Sequence, residues 1–236
     1  MSLSLDRPLP DNGLMVPSSD DIRGSNWRVG AVSDATLQGD VVEPVALGPS
    51  LDVSYPDELA CDIALPTGRT LRLRPIRCHD IAGLEAFHHH LSQESVYSRY
   101  FSFRPDLSGE ELRRLTHVDY VDRLALVVED EGELVAVARY DRYPGTQDAE
   151  VAFVVRDDYQ HLGLGSRLLV NLARAARARG VTQFRAETMA TNRGMMAVFL
   201  HSGFRVSTTV SSGEVSVRFS LDSLDEVPDS THGSPV

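Results

Sequence analysis

Lysine is missing altogether from this chain: all 23 basic residues among its 236 are arginine. Chemistry that modifies lysine side chains therefore has no target within the protein itself. Cysteine is scarce. Cys61 and Cys78 make no disulfide framework, and neither has His or Cys neighbours at metal-ligand spacing, so no metal is expected. No apolar run approaches the ~20 residues of a membrane span. The opening residues, Met1-Ser2-Leu3-Ser4-Leu5-Asp6, lack the basic-then-apolar order of a secretory leader. The expectation is a cytoplasmic protein with no membrane partner. Two common phosphate motifs are absent as well. A P-loop needs Lys after its last glycine, and Gly165 is followed directly by Ser166. A dinucleotide fingerprint needs Gly or Ala three residues after its second glycine, and position 168 is Leu.

Charge is unevenly spread. Residues 1–68 hold 11 acids against 3 arginines, residues 69–221 hold 19 against 20, and residues 222–236 hold 4 acids and no base. The net charge of −11 thus sits at the two ends, and the near-neutral middle offers no basic surface for nucleic acid. Residues 1–68 also lack sustained periodicity, with Pro8, Pro10, Pro17, Pro44, Pro49, Pro56 and Pro66 recurring among Asp, Ser and Gly. They read as a disordered or loosely docked acidic arm, in which Tyr55 to Leu65 either docks or adds an edge strand. Residues 222–236, with Pro228 and Pro235, read as an acidic tail. Residues 69–221 carry the folded domain.

What is present centres on Gln160-His161-Leu162-Gly163-Leu164-Gly165-Ser166. Before it, Val151-Ala152-Phe153-Val154-Val155 reads as a buried strand. After it, Leu164, Leu168, Leu169, Leu172, Ala173 and Ala176 recur at helical spacing, with Arg167, Arg174, Arg177 and Arg179 on the other face and Gly180 at the stop. A strand thus feeds a two-glycine turn that opens a helix. First-turn N–H groups have no intrahelical partner, and the dipole adds positive charge there, so the expected ligand is a phosphate or pyrophosphate.

Around this centre the pattern alternates between strands and helices. Thr70 onward forms a strand with Leu71 and Leu73 alternating with Arg72 and Arg74. Asp80 is placed to cap a helix running to about Leu91, with Ile81, Leu84, Phe87, His88 and Leu91 inward. His88-His89-His90 lies in that helix, and consecutive residues point apart, which disfavours a shared metal. Either Ser92 or Ser95 caps a second short helix, whose aromatics line a cleft or fill the core. Ser108 and Glu111 are spaced as a capping box for a third. Leu124–Glu129, Leu134–Tyr140 and Ala149–Val155 make a three-strand meander, turned by Asp130-Glu131-Gly132-Glu133 and Pro144-Gly145. Beyond the central helix come a strand at Gln183–Thr188, a helix at Thr191–Leu200 and a closing hairpin around Ser211-Ser212-Gly213.

Gln160-x-x-Gly163-x-Gly165 resembles the Q/R-x-x-G-x-G/A loop of the GNAT acetyltransferase superfamily. Asn192, Met196, Phe199, Gly203 and Phe204 are similar to its fourth-helix signature. A narrower similarity links Leu71-Arg72-Leu73-Arg74-Pro75-Ile76-Arg77 and Leu91-Ser92-x-Glu94-Ser95-x-Tyr97-x-Arg99-Tyr100-Phe101 to the GNAT domains of bacterial Pat-type protein lysine acetyltransferases. The resemblance spans about residues 70–221. It implies the GNAT fold, an α/β (α+β) domain with a mixed sheet of about seven strands and about four helices. It implies acetyl-CoA as donor, with Phe153, Val154 and Val155 along the pantetheine arm. Gln160, His161, Leu162, Gly163, Leu164, Gly165 and Ser166 would surround the pyrophosphate. Asn192 falls near the thioester by resemblance, and as a helix cap by its residue type. Tyr97 and Phe101 fall on the acceptor side.

The acceptor would be a protein lysine or a small amine. At pH 7.4 about one lysine amine in a thousand is neutral, and reaching that form costs about 4 kcal/mol. A carboxylate beside the thioester relieves this by taking the proton. Ala149-Glu150-Val151-Ala152-Phe153 matches the Pat-type segment that holds such a base, which makes Glu150 the first candidate and Glu187, on the neighbouring strand, the second. Phe199 stands where many GNAT enzymes have a Tyr that protonates the leaving thiolate. Three functions are compatible with this reading: a protein lysine acetyltransferase, a small-amine acetyltransferase, and an acyl-CoA sensor without catalysis.

Overall fold

The computed structural model describes residues 54–222, so the expectations for residues 1–53 and 223–236 lie outside the described residues. Eight strands form one mixed sheet and five α-helices flank it. The strands are β1 (Cys61–Ala64), β2 (Thr70–Pro75), β3 (Arg123–Asp130), β4 (Glu133–Arg142), β5 (Asp148–Val155), β6 (Gln183–Met189), β7 (Val206–Ser211) and β8 (Glu214–Ser220). The helices are α1 (Ile81–His89), α2 (Gln93–Tyr100), α3 (Gly109–Thr116), α4 (Leu164–Ala178) and α5 (Arg193–Leu200). The sheet order is β1-β2-β3-β4-β5-β6-β8-β7, and every neighbouring pair is antiparallel except β5 and β6. No helix of the described residues is long and apolar enough to cross a membrane.

The strand beyond the expected seven is β1, in the stretch where an edge strand was one option. Cys61 to Ala64 pair with Leu73 to Thr70, and Ile63 and Leu65 are buried in the core. Tyr55 is tied in too: its hydroxyl donates to the Pro75 carbonyl at 2.8 Å, and its ring meets Tyr120 edge-on. These contacts put residues 55–65 in the fold, although the sequence pattern groups them with the arm.

Alternation along the strands gives the sheet two unlike faces. One carries Leu71, Leu73, Leu124, Leu126, Ala138, Tyr140, Val151, Phe153, Phe184, Val217 and Phe219 under α4 and α5. α4 buries Leu164, Leu168, Leu169, Leu172, Ala173 and Ala176 there. The other face has a smaller apolar half, Ala125, Val127 and Val137, covered by α1 and α3 through Leu84, Phe87 and Leu112. Toward β4–β6 that face turns polar.

The helix starts follow local chemistry, with one departure. Ser92 caps α2 by accepting from the Ser95 N–H, and Ser108 and Glu111 form a capping box on α3. Asp80 stands at the N-cap position of α1 but makes no cap bond. Its carboxylate instead pairs with both terminal nitrogens of Arg74, at 2.7 and 2.9 Å, and accepts from the Arg77 N–H at 2.7 Å. The carboxylate thus joins β2 to the short turn Cys78–Asp80 before α1, and the bidentate arginine pairing holds it there. The His88-His89-His90 run splits as consecutive helical residues must. His88 is buried with Nε2 against the Arg104 carbonyl at 2.9 Å, His89 reaches Asp106, and His90 folds back on the Ala86 carbonyl.

Candidate active site

The β5–β6 ladder is short. It pairs Asp148 with Gln183, Ala149 with Phe184 and Glu150 with Arg185, and there it stops, although β5 continues to Val155 and β6 to Met189. On its other side β5 stays paired with β4 as far as Val155. The two parallel strands therefore part at Glu150 and leave a wedge between Val151–Val155 and Ala186–Met189. Two buried polar atoms of β6, Arg185 Nε and Thr188 Oγ1, lack a hydrogen-bond partner among the described residues. They lie on opposite faces of β6, Arg185 with Glu187 and Thr188 with Phe184 and Ala186.

The loop that follows β5 opens α4 at the mouth of this wedge. His161 (φ 62°) and Gly163 (φ 79°) both have left-handed backbones, a conformation that is easy for Gly and strained for His. Gly163 is the N-cap residue and brings no side chain to accept from the first turn, so the N–H groups of Leu164, Gly165 and Ser166 are left for an outside acceptor. A Cβ built on Gly163 meets nothing within 4 Å, so the space before the helix is open. Gly165 is different: a Cβ there would lie 2.9 Å from Val198 Cγ2 on α5. The second glycine thus serves helix packing, while the first serves the turn. These features fit a pyrophosphate.

The Gln160 side chain turns away from the open side. Its amide donates to Ser95 Oγ at 3.2 Å and to the Val155 carbonyl at 3.1 Å, bracing the loop against α2. Leu162 packs on the apolar core and Leu164 is buried in it. Asn192 caps α5 by accepting from the Met195 N–H at 3.0 Å. Phe199 is a core residue, its ring 6.2 Å from Phe153 and 5.7 Å from Phe219.

The polar face beside the wedge has an ordered cross-sheet row. Arg123 on β3 lies opposite Asp141 on β4, Asp141 opposite Glu150 on β5, and Glu150 opposite Arg185 on β6. Residues opposed in register share a face, so these four point the same way, with Tyr143, Asp148 and Glu187 one alternation further along. Arg185 pairs with Asp148, and its guanidinium lies 5.5 Å from the Tyr143 ring centroid. Burial, reinforced by the Glu150 charge, pushes the Tyr143 hydroxyl up to about 12, so it stays protonated. Burial alone would raise Asp141, but Arg139 and Arg123 overcome it and hold the carboxyl below its ordinary value. Arg139 itself is pushed down to about 10 by burial, with Asp141 opposing. Glu150 and Glu187 both stand on this face, at the point where β5 and β6 part. α2, with Tyr97 and Phe101, packs over β5 and β6. Tyr97 is exposed, and Phe101 ends α2 in a left-handed backbone.

Two parted parallel strands, a left-handed glycine turn that opens a helix and a carboxylate at the parting point thus lie at one end of the sheet. Residues 88–204 match the acetyltransferase (GNAT) family. An acetyltransferase of Pseudomonas aeruginosa is 32% identical over 145 residues, 60% of this chain and 78% of that protein. The acetyltransferase Pat of Mycolicibacterium smegmatis is 32% identical over 170 residues, 70% of this chain and 50% of that protein. Among solved structures, the GNAT domain of S. lividans PAT is 37% identical with a TM-score of 0.67, covering 71% of this chain and 99% of that one. A cAMP-binding acyltransferase from Mycobacterium smegmatis is 28% identical with a TM-score of 0.52, and the match covers 72% of this chain and 49% of that one. The chain belongs to the GNAT acetyltransferase family. It spans half the length of the Pat protein it matches.

Proposed function

We propose that the protein is an acetyl-CoA-dependent N-acetyltransferase that acetylates lysine side chains of other proteins, with Glu150 as general base. The observation that carries this reading is the end of the β5–β6 ladder at Glu150, which sets a carboxylate at the apex of the wedge. Acetyl-CoA, the donor the family uses, would supply the acetyl thioester. First-turn N–H groups of α4 would hold its pyrophosphate, and Phe153 and Val155 would offer backbone groups to its pantetheine arm.

The chain's own task is the proton. Glu150 accepts it from the incoming ammonium, directly or through one water, as the amine attacks the thioester carbon, a contribution of typically about 10²–10⁴-fold in rate set against the cost of about 4 kcal/mol of presenting a neutral lysine at neutral pH. Glu187 on the same face favours a cationic acceptor. Phe199 has no proton to give, and a leaving thiol of pKa near 8.5 departs without one. The similarity of the Leu91–Phe101 segment to Pat-type domains supports a protein acceptor over a small amine.

The test is incubation with labelled acetyl-CoA and a cell lysate, then separation of protein from small molecules. Because the chain has no lysine, its own side chains add no acetyl-lysine background. Label on other proteins at lysine supports the reading. Label confined to small amines makes the enzyme a small-amine acetyltransferase, and binding with no transfer makes it a sensor.

A further inference from the structure

The Ser92–Ser95 segment does more than cap a helix. Asp157, two residues past the end of β5, receives three hydrogen bonds from it: the Ser92 N–H at 2.9 Å, Ser92 Oγ at 2.6 Å and Ser95 Oγ at 2.9 Å. Ser95 Oγ also accepts from the Gln160 side chain at 3.2 Å. The start of α2 is thus clasped to both ends of the turn between β5 and the pyrophosphate loop.

α2 needs this clasp. It has eight residues and buries one of them, Val96, whereas α4 buries eight. Isolated helices this short are marginal in water, and little apolar area fixes this one on the sheet. Its far end is steadied by Tyr100, whose ring meets His88 edge-on at 5.7 Å. Its near end rests on Asp157. Burial would raise the Asp157 carboxyl, and the bonds from Ser92 and Ser95 overcome this and lower it, so the acceptor stays ionised at neutral pH.

We propose that Asp157 is a positioning residue that registers α2, and with it the acceptor wall carrying Tyr97, Phe101 and the exposed Phe103, against the cofactor loop. This rests on the reading of residues 160–166 as the cofactor loop. A ligand that orders the loop orders α2 through the same bonds, so acceptor binding is strengthened once the cofactor is in place. Coupling of this kind commonly spans about 5–150-fold in affinity.

Hydrogen exchange on the full chain, with coenzyme A as probe, tests this in wild type and Asp157→Ala. In wild type, coenzyme A should slow exchange both in residues 160–170 and in residues 93–100. In the variant the first protection should persist and the second disappear. Kinetically, the variant's acceptor KM should rise about 5–100-fold while acetyl-CoA affinity changes less than about threefold and the pH profile keeps its shape. A Ser92→Ala/Ser95→Ala pair removes the two hydroxyl bonds and keeps the one from the Ser92 N–H, so it should shift both readouts in the same direction and by less, which covers failure of Asp157→Ala to fold. Protection of the loop without protection of α2 in wild type overturns the clasp and leaves the cofactor site standing. Protection of α2 that survives undiminished in the folded variants also overturns it. Absence of protection from both segments in wild type overturns the cofactor reading itself, and the clasp's role with it.

Discussion

Replacing Gly165 with alanine should destabilise the protein, and replacing Val198 as well should reverse the sign of the effect. Gly165 sits in the first turn of α4 with no left-handed backbone to defend, so helix propensity alone favours alanine by about 1 kcal/mol. Against this stands the 2.9 Å approach of the new Cβ to Val198 Cγ2, well inside the ~3.5–4.0 Å of a favourable carbon contact. Val198 is β-branched and stiff at χ1, so the methyl cannot swing clear and α5 must shift. Overpacking of this kind costs about 1–3 kcal/mol, which leaves a net loss of up to about 2 kcal/mol for Gly165→Ala. Val198→Ala alone opens a small gap and costs about 1 kcal/mol. In the Val198→Ala background the overlap is gone, and Gly165→Ala should then stabilise by up to about 1 kcal/mol. The assay is a double-mutant cycle by urea unfolding, backed by thermal melting, where 1 kcal/mol corresponds to about 2–4 °C at this size. Energies that add within about 0.5 kcal/mol would show that the two residues do not meet and would refute the packing argument.

Glu150→Gln keeps the shape and removes the basicity, so turnover should fall roughly 10²–10⁴-fold at pH 7 with acetyl-CoA affinity unchanged, and the defect should narrow as pH rises toward the amine's own pKa. A pH–rate profile of both carboxylate variants decides the assignment: wild-type turnover in Glu150→Gln together with loss in Glu187→Gln would move the base to β6. Gly163→Ala forces an L side chain to φ near 79° without any clash, so melting should drop by the equivalent of about 1–2 kcal/mol, and an unchanged melting temperature would contradict the loop geometry. Asp80 is raised by burial but held below its ordinary value of 3.8 by Arg74. Its stabilisation is therefore fully present above that ordinary value and lost as pH falls through the lowered one. Asp80→Asn should lower stability at pH 7 and flatten its fall between about pH 5 and pH 2, which urea unfolding across that range measures.

The strand, glycine turn and helix at residues 151–178 were legible because each is a local pattern: an apolar run, left-handed-tolerant Gly163, and a 3.6-residue stripe. The eight-strand sheet was less so at its edge, because four residues of β1 give too little alternation to separate a strand from a Pro-rich arm. What the sequence hid is what depends on register and distance. Asp157 and Ser92 meet across 65 positions, and nothing in either local stretch marks the other. The Arg123–Asp141–Glu150–Arg185 row exists only once four strands are aligned. Asp80 has every mark of a helix cap, and an arginine from β2 takes its oxygens instead. Gly165 looked like a residue shaped for a ligand, yet its Cβ position is filled by a valine that lies 33 residues away in sequence.

Between the strands themselves, three residue pairs join β1–β5 to the β6–β8–β7 leaf, beside the core that both share under α4 and α5. Whatever occupies the gap stitches the two leaves, and mass action ties the strength of that stitch to the ligand's concentration. A donor at a hundred times its dissociation constant would add about 2.7 kcal/mol to the folded state, and its depletion would take that away. A loss of that size raises the unfolded fraction about a hundredfold, enough to expose a marginal protein to proteolysis. With the proposed donor bound at the seam between β5 and β6, the lifetime of the molecule would follow acyl-donor supply, and starvation would thin the population of the enzyme as well as idle it.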